Sequence, residues 1–96
     1  MSFVLKHRLT SEIFAFPMLN NYQIPYYGVK SWTSIDEAET ELASFLSNQN
    51  IQAIDDWSLH EVEDNELKLF NVKLKNDPER KLYLDDQGKP VSKRIT

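Results

Sequence analysis

The chain has 96 residues, with 11 Lys+Arg against 15 Asp+Glu, no Cys, two Gly and four Pro; 41% of it is hydrophobic and 27% charged. One hydrophobic core is the expectation for this length, and the composition lies well away from that of intrinsically disordered chains. The lack of cysteine excludes a disulfide framework, a thiolate zinc site, an iron–sulfur cluster and a cysteine nucleophile.

From the N-terminus, Phe3, Leu5, His7 and Leu9 alternate with Val4, Lys6 and Arg8, the period of a half-buried strand. The three-residue apolar run before Lys6 is far shorter than the apolar core of a secretory leader, about 7 to 15 residues. Glu12 to Met18 and Tyr22 to Trp32 read as two more strands joined by a turn at Asn20-Asn21. Pro17 and Pro25 argue for edge positions, bulges or one long irregular loop, because proline donates nothing to a ladder; Gly28 points the same way. The uncharged stretch from Ile13 to Val29 contains Asn20, Asn21, Gln23, two prolines and a glycine, so it does not read as a membrane span. The expectation is a soluble, cytoplasmic protein without a membrane segment.

Ser34 to Asn48 is predicted as a helix. Ser34 and Glu37 have capping-box spacing, Asp36, Glu37 and Glu39 suit the positive end of the helix dipole, and Ile35, Ala38, Leu42, Phe45 and Leu46 recur on one face. Asn48 or Asn50 can end it in a left-handed conformation. Beyond it, Trp57 to Val62 reads as a strand, Glu63 to Asn65 as a turn, and Leu67 to Lys75 as a strand with Phe70, Val72 and Leu74 on one face. Asn76 to Glu79 is a turn containing Pro78, Lys81 to Leu84 a strand, and Asp85 to Gly88 a turn. Residues 89–96 form a short last strand or a frayed basic tail.

The predicted class is therefore α+β: a mostly antiparallel sheet of five to six strands with one amphipathic helix, about 34–48, packed on one face, in the order βββαβββ. The whole chain, 1–96, is read as a single small domain.

The net charge of -4 hides a strong segregation. Residues 1–30 carry +2, residues 31–67 carry ten acidic side chains and no Lys or Arg, and residues 68–96 carry +4. Clustered charge raises a local potential that attracts basic surfaces. Nucleic acid is disfavoured as a partner, because the basic residues Lys68, Lys73, Lys75, Arg80 and Lys81 compete with that acidic third.

No glycine-rich phosphate loop, HExxH, EF-hand loop or GxSxG occurs. His60 beside Glu61 and Glu63 makes a poor metal set, because successive strand residues face opposite sides. No catalytic residue, cofactor-binding residue or metal ligand is assigned, and no cofactor is expected. The residues that suggest function are Tyr22, Tyr26, Tyr27 and Trp32, aromatics within eleven positions, and the acidic helix residues Asp36, Glu37 and Glu41. Tyrosine and tryptophan offer large contact area at low entropic cost and are enriched in binding hot spots. The expectation is a non-catalytic protein-interaction or regulatory module that meets a protein partner or a second copy of itself through these residues. The alternative is a small-ligand domain or minor enzyme whose pocket, between helix and sheet, is lined by aromatics with His60.

Overall fold

A computed structural model describes residues 1–95. The chain runs β1 (Ser2–His7), β2 (Glu12–Ile13), β3 (Ala15–Leu19), β4 (Pro25–Val29), β5 (Ser31–Trp32), α1 (Ile35–Asn48), a 3-10 turn (Ile54–Asp56), β6 (Trp57–Val62), α2 (Asp64–Leu74), β7 (Arg80–Leu84) and β8 (Pro90–Arg94). Six strands make one antiparallel sheet and β3–β4 a separate two-stranded ribbon. β1 is central: β6 pairs with its whole length along one edge, while β5 and β2 share the other, at Phe3–Val4 and Lys6 respectively. β2 then pairs with β7, and β7 with β8.

Val4 and Leu5 are adjacent in β1 and both wholly buried. Neighbouring strand residues face opposite sides, so this pair requires cover on both faces of the sheet. α1 covers one face, closing a core of Leu5, Phe14, Trp32, Ala38, Leu46 and Trp57. α2 covers the other, where Phe70 and Leu74 meet Val4, Ile13, Val29, Val62, Leu82 and Leu84. Each fully buried side chain of this size contributes about 1.5 to 3 kcal/mol of transfer free energy, so the two layers share the stabilisation.

The α+β class, the six-stranded antiparallel sheet and the helix at 35–48 agree with the sequence reading. The expected strand Leu67 to Lys75 does not exist: it lies in α2, and the expected turn Glu63 to Asn65 forms its start. A single helix on one face is thereby corrected to two helices on opposite faces. The cause is local. The Glu66 carboxylate accepts from the amide of Glu63 at 3.1 Å, in the capping-box arrangement of these two residues that favours the helix start. Phe70 and Leu74 then share a buried helical face, whereas Val72 points out. Lys75 and Asn76, with φ of 55° and 53°, end the helix in left-handed conformation. At α1, Ser34 caps as expected, its Oγ accepting from the Glu37 amide at 3.4 Å, and Asn50 takes the left-handed φ of 62°. The segment after Lys89 is strand β8; Thr96 lies outside the described residues.

The two long strands expected at Glu12–Met18 and Tyr22–Trp32 are each bent, at Phe14 and Lys30. The Phe14 amide donates to the Leu5 carbonyl at 2.9 Å and the Lys30 amide to the Phe14 carbonyl at 3.1 Å, so the ribbon leaves the main sheet without losing its connection. Beyond the bend, β3 and β4 form an arm. Its tip is an Asx turn in which Asn20 Oδ1 accepts from the amides of Tyr22 (2.8 Å) and Ile24 (3.0 Å). Both prolines occupy this ribbon, whose strands each lack a second strand neighbour, as the edge argument required. α2 and the turn that follows it close the free side of β4 with side chains: Asn76 Oδ1 accepts from the Tyr27 amide at 2.7 Å and Asn71 Oδ1 from the Val29 amide at 2.9 Å. Gly28 lies where a Cβ would stand 3.0 Å from Asn71 Oδ1 and 3.1 Å from the Tyr26 ring, so a side chain there would press on the carboxamide that closes the β4 edge.

Candidate interaction surface

The arm carries three of the four aromatics singled out from sequence. Alternation assigns their roles: Tyr27 and Val29 turn toward the α2-side core, and Tyr26 is in the other alternation set. The Tyr27 hydroxyl donates to the Arg80 carbonyl at 3.0 Å and its ring packs against the α2-side core. Burial raises the pKa of that hydroxyl, and the charges of Glu12 and Asp77 act in the same direction. Tyr27 is thus an anchor at the base of the arm, with Tyr26 half-buried beside it. Tyr22, at the tip, is 84% exposed.

Trp32 is not at the surface. It is 3% exposed, in β5 under α1, with Phe45 edge-on at 5.9 Å and the Lys30 ammonium 4.6 Å from its ring centre. The expectation that Trp32 meets a partner is corrected: the bend at Lys30 returns the strand to the main sheet and turns this ring into the core. Asp36, Glu37 and Glu41 are all exposed along α1 and receive no ion-pair partner among the described residues. Phe16 of the arm packs edge-on against Phe45 at 5.1 Å, and Glu41 lies one turn before Phe45. The arm and the acidic helix therefore touch at the arm's base, while Asp36 and Glu37 sit at the far end of α1.

Two residues that sequence reasoning missed complete the tip: Leu19 and Ile24, 57% and 56% exposed. Single exposed apolar residues are ordinary on a protein surface. Three within six positions, held by one Asx turn, concentrate apolar surface at the tip of the arm. Their flanking of the Asn20-Asn21 turn was the available signal, since apolar residues in a turn have no core to enter. Below the tip, Pro17, Pro25, Tyr26, Tyr27, Asn76 and Pro78 line an open groove of about 220 Å³ between the arm and the end of α2.

Between α1 and the sheet the space is occupied by rings packed edge to face: Phe14 lies edge-on to Phe45 at 5.5 Å and to Trp57 at 5.3 Å, and Trp57 to His7 at 5.0 Å. Besides the arm groove, open recesses lie over β7–β8 beside Tyr83 and Lys93 and against the 3-10 turn, and His60 lines none of these three. His60 is on the α2 side of β6, opposite Val4. Burial lowers its pKa, the Lys6 charge adds to this, and Glu66 opposes it. Among the described residues no group of three or more His, Cys, Asp or Glu is placed to hold a metal ion, and no helix is long and apolar enough to cross a membrane.

Glu12 is the carboxylate most affected by its surroundings. Burial raises its pKa above 4.5, while Lys81, with Nζ 3.9 Å from Oε1, and His7 work against this. A raised folded-state pKa means that the native protein binds the proton more tightly than the unfolded chain. The associated stability is complete below the unfolded value near 4.5 and is lost as pH rises through the higher folded value. Glu12→Gln is expected to remove this dependence, so urea midpoints of variant and parent should differ more at about pH 7 than at about pH 4, in favour of the variant. A constant difference would contradict it.

Comparison with protein-family models, with curated proteins and with solved structures finds no match for this chain.

Proposed function

We propose that this protein is a non-catalytic interaction module that engages a protein partner through the β3–β4 arm. The observation that carries this is the concentration of exposed apolar side chains, Leu19, Tyr22 and Ile24, within six positions at a turn locked by Asn20. Tyrosine is enriched in binding hot spots, and the groove below the tip offers a recess for a partner side chain. Anchoring by Tyr27, Asn71 and Asn76 fixes the arm before binding, which lowers the entropy cost of association. The exposed carboxylates Asp36, Glu37 and Glu41 add long-range attraction for a basic partner surface and act mainly on the association rate.

Affinity capture with the triple variant Leu19→Ser, Tyr22→Ser, Ile24→Ser tests the arm. These side chains are largely in water already, so each change should leave stability within about 0.5 kcal/mol, while the partner retained by the parent protein is lost. Reversal of Glu37 and Glu41 to lysine should weaken capture at low salt and leave high-salt capture nearly unchanged. Equal retention by the triple variant and the parent would refute the assignment.

A further inference from the structure

The free sheet edges of this fold are treated differently from one another, and one is left open. On β4, the outward amides of Tyr27 and Val29 are taken by Asn76 and Asn71. On β3, Pro17 stands opposite Tyr27, so the amide hydrogen it lacks would have pointed outward. On β8, the Ile95 amide bonds to the Glu79 carbonyl, which places Pro90, Ser92 and Arg94 in the outward set; a proline and the adjacent cations Lys93 and Arg94 blunt that edge. β5 is only two residues long.

β6 has none of these devices. Its six residues pair with β1 along one edge. The Arg8 amide donates to the Asp56 carbonyl at 2.8 Å, so Ser58, His60 and Val62 are in hydrogen-bonding phase with β1, and Trp57, Leu59 and Glu61 present their backbone groups outward. The Trp57 amide returns to the Ile54 carbonyl. The amides of Leu59 and Glu61 and the carbonyls of Trp57, Leu59 and Glu61 have no hydrogen-bond partner among the described residues. α2 lies over β4, β7 and β8, and α1 over β5, so neither helix is centred on this edge.

Charge identifies what would fit. The edge is bracketed by exposed Asp55 at its start and by exposed Glu61, Glu63, Asp64 and Glu66 at its end. Of the nearby cations, Arg8 is committed to Asp56 at 2.7 Å, the Met1 ammonium stands 3.6 Å from Asp64 alone, and Lys6 sits on β1 across from Ser58, so Asp55, Glu61, Glu63 and Glu66 keep no ion-pair partner among the described residues. A second copy adding antiparallel to the same edge would bring Asp55 of one chain toward Glu63 and Asp64 of the other, a like-charge arrangement. We infer that the outer edge of β6 accepts an extended, Lys- or Arg-bearing segment of a protein partner as an additional strand of the sheet. Main-chain bonds to Leu59 and Glu61 hold the segment, and the acidic ends select its charge. This surface is separate from the arm, and the inference does not rest on the arm's role.

The test uses the intact protein and two synthetic peptides of about eight residues, the length that spans this strand: one alternating Lys with Val or Thr, the other with Glu replacing every Lys. Amide hydrogen exchange and backbone chemical shifts report on Leu59 and Glu61. The basic peptide is expected to slow exchange at both amides and to bind at least about tenfold more tightly than its acidic counterpart. Glu61→Lys is expected to reduce that preference, and N-methylation of alternate peptide amides to abolish binding. Absence of protection with the basic peptide, or equal binding of both peptides, would overturn the inference. So would protection of Leu59 and Glu61 that rises with protein concentration alone, since a second copy would then be the occupant.

Discussion

Replacing Phe70 with alanine is expected to destabilise the protein by about 3 to 5 kcal/mol, whereas Val72→Ala should change stability by no more than about 0.5 kcal/mol. Phe70 is 1% exposed and reaches the sheet beside Leu74, Val4 and Leu82, while Val72, two residues on, is 67% exposed. Alanine at 70 loses the transfer free energy of a buried ring and leaves a void that a sheet packed on both faces closes only in part. At 72 little is removed from contact, and alanine is the better helix former. A domain of this size holds only about 5 to 15 kcal/mol in total, so the first variant should be marginal and the second normal in urea titration. Similar losses at 70 and 72 would mean that the two residues share a face, as in a strand, and would contradict helix α2.

Asn71→Ala is expected to cost about 1 to 3 kcal/mol, a large effect for a residue whose side chain is otherwise near solvent. Its Oδ1 is the acceptor for the amide of Val29, which is 4% exposed, and removing it leaves a buried donor without a partner. Asn71→Asp keeps an oxygen at that position and should retain most of the stability. The effect should be local: hydrogen exchange at the Val29 amide should accelerate in Asn71→Ala, with the β1–β6 amides less affected. The released edge of β4 should also make this variant more prone to self-association. If Val29 exchange is unchanged, the arm is held by packing alone and Asn71 does not close its edge.

How much of this was legible in the sequence depended on whether the deciding contact was local. α1 was readable because its cap, its acidic first turn and its apolar face all lie within fifteen positions. α2 was not, because Leu67, Phe70 and Leu74 fit a helix while Phe70, Val72 and Leu74 fit a strand equally well. The start of α2 is marked by Glu63 at the N-cap and by Glu66, whose carboxylate accepts from the Glu63 amide, whereas the usual N-cap residues are Ser, Thr, Asp and Asn. The burial of Trp32 was hidden for a different reason: it depends on bends at Phe14 and Lys30, fixed by hydrogen bonds to strands elsewhere in the chain. Asn71 and Asn76 reach their partners across 42 and 49 positions, beyond any periodicity. Pro17, Pro25 and the Asn20 turn, whose effects are set by backbone chemistry at the residue itself, were read correctly as edge and turn signals.

The same distinction applies to the surface. Segregation of charge survives folding because it is a property of elements: the acidic third contains α1, β6 and the start of α2, and the basic β7–β8 pair lies at the opposite side of the sheet from β6. The aromatic cluster did not survive as a unit. It separates into a core ring, Trp32, an anchor, Tyr27, a groove wall, Tyr26, and a tip residue, Tyr22, of which the last has the least structural reason to be apolar.

The most direct measurement of the arm's role is site-specific photo-crosslinking in the producing cell, with a photoreactive residue placed at Tyr22 and, in a parallel protein, at Val72. Both positions are exposed and apolar, and they differ only in belonging to the arm tip or to the solvent side of α2. The expected result is a discrete heteromeric adduct from position 22 that disappears when Leu19 and Ile24 are changed to serine, with no such adduct from position 72. No adduct from position 22, or the same adducts from both positions, would contradict the arm as the partner surface.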